Sequence, residues 1–426
     1  MKVRSVFLSF VRLATGEVFG RIATLALFVY VSRYFGVQIL GIVALAQTVA
    51  SYVMELSDQG LKLIGARLLA RNADLASYVV PVVLKRRALL AAGAVALGAL
   101  YAVIGPVPPE AKFCVLAFDF AVVPYAFALD WVAWGLGHFG VLALWRSGIC
   151  IVYVGLAIAA MQFTLRPLTS ISSANLLSAV LGAAFLWLIW KQRWSRAQRQ
   201  KLPDSLLTAA TEELRPTRVF TLGLSNLLSL VFMNADILLL GAMTSSQEVG
   251  RYSAACKPLY VMFTGFWLLT DALYPHLAKL EAGARAQTVL LLALAGLAAL
   301  ASAAAVILGL LTPRILTLIY GSTLGAAGLF RILLIAMPLD FCFSLLWTVL
   351  VSRGYDRAVL YALATAAATN VALNLAFIGR FQASAAAWLT VASYALLFAT
   401  VLIFVLNKKI LAGVEKGDPA TAPVWA

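Results

Sequence analysis

The residues able to do chemistry in this chain are a few charged side chains inside long apolar runs. Glu17 and Arg21 stand four residues apart, a spacing that places them on one face of a helix. They read either as a structural ion pair or as an arginine lining a cavity, with a carboxylate that tunes it or takes up a proton. Asp119 and Asp130 are eleven residues apart, close to three helical turns, and share a side if their helix is continuous. Asp236 sits among aliphatic residues. Lys257, just before Pro258, falls at a similar depth in the next apolar run, so depth alone predicts an Asp236–Lys257 pair. Arg331, Pro338 and Asp340 share another run, and Arg146 edges a further one. Ionisable groups placed this way are expensive and usually face a bundle interior or a cavity. The cationic set Arg21, Arg146, Lys257 and Arg331 suits an anionic substrate such as a phosphate or pyrophosphate head group, held bidentately by arginine and as a point charge by lysine. For each taken alone, a structural ion pair stands beside substrate contact. Glu17, Asp119 and Asp236 are the candidate ion carriers.

Catalysis finds little support. There is no Walker A motif. The two histidines, His138 and His276, lie near expected helix ends, and no acid follows His138 four residues on. No paired-carboxylate cluster falls in a loop. Cys114, Cys150, Cys256 and Cys342 all lie inside apolar runs without a CxxC pair, so neither zinc nor a disulfide is indicated. No catalytic residue, metal or cofactor is expected, and a proton or sodium gradient is the energy source to consider.

The elements that must position these residues are set by composition. The 426 residues are 63% hydrophobic and only 12% charged, with a mean hydropathy of +0.94. A soluble domain carries about 25% charge, so a water-soluble enzyme is excluded. Twelve runs are long enough to span a bilayer: 13–34, 38–58, 88–104, 112–134, 141–162, 169–190, 219–243, 253–274, 287–311, 326–351, 358–378 and 382–406. The basic start is followed by a long run without a small-residue cleavage pattern, which predicts a retained anchor. With the N-terminus inside, 24 of the 33 Lys and Arg residues fall in cytoplasmic segments and six in outer ones. That positive-inside bias predicts a multi-pass protein with both termini cytoplasmic. It also reassigns the net charge of +15 from a nucleic-acid partner to topology.

The predicted fold is all-α, with about twelve transmembrane helices in two six-helix lobes. A basic cytoplasmic linker, 191–218, separates residues 1–190 from 219–406, and 407–426 form a cytoplasmic tail. Faint self-similarity supports a parallel repeat: Pro124 and Pro338 are each followed sixteen residues on by glycine, and Leu129-Asp130-Trp131 resembles Leu339-Asp340-Phe341. Segment 61–71 is amphipathic, with Lys62, Arg67 and Arg71 on one face. It reads as a helix lying on the cytoplasmic surface.

Several stretches in order carry a family likeness. They are VSRYFGVQILGIVALAQTVASYVMELSDQGL near the N-terminus, LDWVAWGLGHF in the fourth run, NADILLLGAMTSSQEVGRYSAACKP in the second half, IYGSTLGAAGLFRIL further on, and Asn370 and Asn374 near the end. Together they resemble the polysaccharide flippases of the MOP exporter superfamily over residues 10 to 405. Ala133-Trp134 departs from the aromatic and glutamine more usual there. The resemblance implies a V-shaped, MATE-like transporter working by alternating access in the bacterial inner membrane. It implies an undecaprenyl-pyrophosphate-linked oligosaccharide of O-antigen or exopolysaccharide type as substrate, with a glycan polymerase as candidate partner. A cationic cavity is implied too, to which Arg21 and Lys257 correspond by position. Three other readings stand beside it: a multidrug exporter of the related branch, a lipid II flippase, and a membrane glycan polymerase or ligase.

Overall fold

The computed structural model describes residues 3–164, 166–194, 203–278, 284–353 and 355–407. Within these, the side chains of 3–15, 17, 193–194, 265, 268–278, 284–287, 352, 356 and 407 are not described. Among the described residues every regular element is helical. The α-helices are α1 (Val3–Asp58), α2 (Leu61–Arg71), α3 (Ala76–Ile104), α4 (Pro109–Phe120), α5 (Val122–Ala126), α6 (Asp130–Gly135), α7 (Phe139–Thr164) and α8 (Pro167–Ile189). They continue with α9 (Asp204–Glu213), α10 (Pro216–Met243), α11 (Ser246–Ala278), α12 (Ala284–Tyr320), α13 (Ala327–Leu334), α14 (Ala336–Ser352) and α15 (Asp356–Asn407). Three of them, α4, α8 and α10, begin on a proline, where the missing N–H costs nothing and φ is already helical.

Eight helical stretches among the described residues are long and apolar enough to cross a membrane. Ten of the twelve sequence runs lie in them, because two stretches each hold two runs. Val18–Asp58 turns at Gly36, whose φ of 85° is cheap only for glycine. Arg357–Leu406 turns at Gln382, with φ 52°. The run 253–274 lies within α11.

The run 112–134 is a correction to the sequence reading. It is three helices, α4, α5 and α6, and not one. Pro124 supplies no backbone donor. After it the chain tightens to three-residue hydrogen bonds, Phe127 N–H to the Pro124 carbonyl and Ala128 N–H to that of Tyr125. Asp119 therefore ends one helix and Asp130 begins another, and the three-turn register between them does not hold.

The chain forms two compact units. The first comprises Met1–Leu230 with Ser245–Gly250, and the second Val231–Thr244 with Arg251–Ala426. In the first, Leu61, Ile64, Leu68 and Leu69 of α2 share a core with Val79, Val83, Trp131, Leu186 and Leu214. Helix α2 thus forms over the expected residues, but its apolar face is covered by protein and is not turned to lipid. The reason is steric. Gly65 lacks the Cβ that would lie 2.5 Å from the Trp131 ring, so the indole packs closely on α2. Gly65→Ala should therefore cost about 1–3 kcal/mol of overpacking, read as a lower thermal midpoint in detergent; an unchanged midpoint would contradict this packing. The segment after Pro203 also packs here: Tyr78 and Thr211 hydroxyls meet at 2.8 Å, and Arg86 donates to the Leu214 carbonyl.

Within the same unit, Gly41 of α1 faces the start of α11. A Cβ there would overlap the Ser246 carbonyl, and one at Gly250 would overlap that of Val37. Both glycines are required by a backbone-to-backbone approach.

Candidate functional site

In the first unit the charged residues assemble at the end of α1. Gln59 and Gly60 both take positive φ, 46° and 81°, and turn the chain from α1 into α2. Gly60 and Gly223 are glycine because a Cβ on either would strike the opposite strand of chain, Leu222 at 2.8 Å and Gln59 at 2.7 Å. The turn presents Asp58 just before α2. Arg87 Nε meets Asp58 Oδ1 at 3.0 Å. Its other nitrogens donate to the carbonyls of Ala128 at 3.3 Å and Tyr125 at 3.2 Å. Both carbonyls lie at the break between α5 and α6, where that of Tyr125 also takes the Ala128 N–H, so one guanidinium neutralises a carboxylate and braces a broken helix. Asp130, the first residue of α6, pairs with Lys62 at 3.1 Å. Two carboxylates and two cations thus lie together.

This network joins the two motif stretches containing Asp58-Gln59-Gly60 and Leu129-Asp130-Trp131. Its centre, Arg87, escapes the sequence reading, which assigns it to a basic loop. It is 0% exposed on α3. The signal was present in the spacing Ala76, Val79, Val80, Val83, Arg87, Ala91, Ala94, which is one helical face.

Asp119 of α4 is fully buried, and neither carboxylate oxygen has a hydrogen-bond partner among the described residues. Gly98 of α3 makes room for it: a Cβ there would lie 2.6 Å from Oδ2. Such a carboxylate in apolar surroundings is costly and calls for an explanation beyond packing.

In the second unit Asp236 of α10 is buried, and its carboxylate gathers donors. Oδ2 accepts from the Tyr252 hydroxyl and from Thr390 Oγ1 at 3.2 Å. Tyr252 and Thr390 are 3.0 Å apart. Oδ1 accepts the N–H of Ile237 at 3.0 Å, while the carbonyl four residues before Ile237, that of Met233, accepts the Tyr260 hydroxyl at 2.9 Å. Side-chain capture of a backbone group is how aspartate loosens a helix locally. A small cavity adjoins the group, lined by Phe232, Met233, Cys256, Tyr260, Thr390 and Tyr394. Where the sequence pairs Asp236 with Lys257 by depth, the bonds described here come from Tyr252, Thr390 and Ile237. Lys257 is half-buried on α11 and has contacts of its own. Asp340 accepts from Trp267 Nε1 at 3.1 Å, and Asn370 donates to Ser393 at 3.0 Å.

Prolines inside helices leave carbonyls without an N–H four residues on. Pro258 frees the Ala254 carbonyl, which takes the Tyr320 hydroxyl at 3.1 Å. Pro313 frees the Gly309 carbonyl, which takes Arg331 Nε at 3.1 Å. Arg331 therefore has a structural task. Arg331→Ala should cost about 1 kcal/mol or more, and less once Pro313→Ala restores the ordinary bond; additive losses in that double-mutant cycle would contradict the pairing.

Of the remaining sequence candidates, Arg21 is exposed on α1 and Arg146 is half-buried on α7, both in the first unit, and each has contacts. Lys257 and Arg331 belong to the second unit, where Arg331 is exposed. The side chain of Glu17 lies outside the described residues.

Comparison with known proteins bears on what these groups serve. Residues 9–281 match the family model described as "Polysaccharide biosynthesis protein". No curated protein sequence matches the chain. Among solved structures, "Lipid II flippase MurJ, inward closed conformation" aligns with a TM-score of 0.65 at 12% identity, covering 94% of this chain and 89% of that one. An inward-facing multidrug resistance MATE family transporter of the MOP superfamily gives 0.64 at 15% identity, covering 94% and 98%. A MOP superfamily transporter from Pyrococcus furiosus, described as having a binding pocket of reverse polarity, gives 0.55 at 16%, covering 94% and 95%. At these identities the likeness is one of fold: the chain is a helical, multi-pass membrane protein with the fold these transporters share.

Proposed function

We propose, since this chain belongs to the polysaccharide biosynthesis protein family, that it is a flippase and not an enzyme. In this reading it carries an undecaprenyl-pyrophosphate-linked oligosaccharide repeat unit across the bacterial inner membrane by alternating access. The observation that carries the reading is the family match over residues 9–281 together with a MOP-type fold along nearly the whole chain. Both termini lie on the cytoplasmic side, as the basic residues sort.

Arg21, Arg146, Lys257 and Arg331 are the candidate contacts for the pyrophosphate and glycan. Arg331 also holds the Gly309 carbonyl through Nε. Asp236 and Asp119 are the candidate ion carriers, with Glu17 a third from the sequence. What supports Asp236 is a carboxylate served by three donors beside a cavity. What supports Asp119 is a buried carboxylate whose oxygens have no hydrogen-bond partner among the described residues. Each crossing of one charge over 100 mV supplies about 2.3 kcal/mol, enough to bias two conformations without ATP.

Deleting the gene and examining surface glycan and lipid-linked intermediates tests the assignment. Loss of surface polysaccharide, with the lipid-linked repeat unit accumulating on the cytoplasmic leaflet, is expected. Unaltered polysaccharide with raised drug sensitivity would transfer the chain to the multidrug reading.

A further inference from the structure

One charged cluster is used neither by the helix-closing network nor by the candidate carriers. It lies in the first unit, where the end of α2 meets α9 and the start of α10. Arg67 and Arg71 are four residues apart on α2 and share a face. Arg71 Nη1 reaches Glu213 Oε1 at 3.4 Å, and Arg218 Nη1 reaches Glu213 Oε2 at 2.9 Å. Arg67 feels the same three groups: Glu213 attracts it while Arg71 and Arg218 repel it. Its Nη2 is enclosed by protein with no hydrogen-bond partner among the described residues. The neighbouring Glu212 does not relieve the excess charge, because it is matched by its own Arg215 at 2.6 Å. Three guanidinium groups therefore share a single carboxylate.

Packing alone does not account for this. Like charges at this spacing on a helix destabilise it, and a buried guanidinium donor without an acceptor costs free energy. Arginine clusters of this kind recur where phosphate is bound, because the planar fork matches phosphate oxygens bidentately. The site is open to an incoming anion, since the Arg71 and Arg218 side chains are 57% and 54% exposed while Glu213 is 24% exposed.

We propose that Arg67, Arg71 and Arg218 form a binding site for a phosphate group, with Glu213 as its internal counter-anion. The group carries one to two negative charges, matching the excess of two. A phosphate can come from the head group of an anionic membrane lipid or from a soluble phosphate or pyrophosphate, and the recognition chemistry is the same. A basic amphipathic segment is a common form of lipid head-group recognition. Here the apolar face of α2 is already used by protein, so the arginines do the binding without insertion of the helix. The inference is independent of which substrate is transported.

The test uses the full-length protein in nanodiscs of phosphatidylcholine. Inorganic pyrophosphate is titrated by calorimetry. In parallel, discs containing phosphatidylglycerol are examined by native mass spectrometry for retained lipid. The variants are Arg67→Gln with Arg71→Gln, the same pair changed to lysine, and Glu213→Gln. Asp204→Asn, exposed at the start of α9, is the control. At least one probe should bind the wild type. The glutamine pair should weaken it about tenfold or more, in line with loss of a charge-assisted bond. The lysine pair should fall between, Glu213→Gln should bind more tightly than wild type, and the control should not change. Pyrophosphate binding in phosphatidylcholine discs would assign a soluble source. Phosphatidylglycerol retention without pyrophosphate binding would assign the lipid. If neither probe binds, or if the variants leave binding unaltered, the proposal is overturned. Should the glutamine pair fail to fold, Glu213→Gln decides alone: unchanged or weaker binding refutes the site.

Discussion

Replacing Arg87 by alanine should leave little folded protein. The substitution takes the guanidinium away from the Asp58 carboxylate and a donor away from the carbonyls of Tyr125 and Ala128, of which that of Tyr125 keeps the Ala128 N–H. Removing one partner of a buried ion pair costs about 3–5 kcal/mol, a large part of the 5–15 kcal/mol that holds a typical protein together. Arg87→Lys should lose less, because an ammonium keeps the charge and gives up the fork. Asp58→Asn should also lose less, since Arg87 retains its two carbonyls and Asp58 keeps some exposure at 13%. Thermal unfolding in detergent and yield from the membrane measure all three. A midpoint for Arg87→Ala close to that of the wild type would show that the network is ornamental.

Asp236→Asn should have the opposite profile, a protein that folds and a transporter that stalls. The amide oxygen still accepts from Tyr252 and Thr390, and only the Ile237 N–H loses its acceptor. What is lost is the charge. If Asp236 carries the coupling ion, substitution removes about 2.3 kcal/mol of driving free energy at 100 mV, which is roughly a 50-fold change in a rate or equilibrium. Export by the variant should no longer respond to collapse of the gradient. Full gradient dependence in Asp236→Asn would remove this residue from the coupling role. The same measurement on Asp119→Asn then becomes the decisive one, given its unpartnered oxygens.

The membrane architecture is legible in the sequence because bilayer length and apolarity impose themselves on every spanning run. The helix over 61–71 is legible too, from its periodicity. Its surroundings are not: nothing in α2 itself says that Trp131, sixty-six residues away, will lie against Gly65. Asp58, Asp130 and Lys62 are visible as charges in recognisable stretches, but their convergence depends on the break after Pro124, which a count of apolar residues passes over. Arg87 is hidden by a misplaced boundary. Reading 59–87 as a loop turns a buried ion-pair partner into a topology signal, although its spacing with Val79, Val83 and Ala91 marks the inner face of a helix. Tyr252, Thr390 and Tyr320 are uncharged, so a search for ionisable residues misses them. They matter because Asp236 and the carbonyl freed by Pro258 need donors. Arg331 teaches the converse. A cation inside an apolar run draws a substrate hypothesis, and the proline eighteen residues before it supplies a structural employer.

Flipping itself can be observed with the purified protein reconstituted into proteoliposomes containing a fluorescent undecaprenyl-pyrophosphate oligosaccharide, under an imposed proton or sodium gradient and membrane potential. Movement of the glycan between leaflets is read by enzymatic access from outside. Gradient-dependent flipping that is lost in Asp236→Asn and retained in Arg331→Lys is the predicted result. No flipping by a folded, correctly inserted wild-type protein under any gradient, with export of a small cationic drug instead, would contradict the central claim.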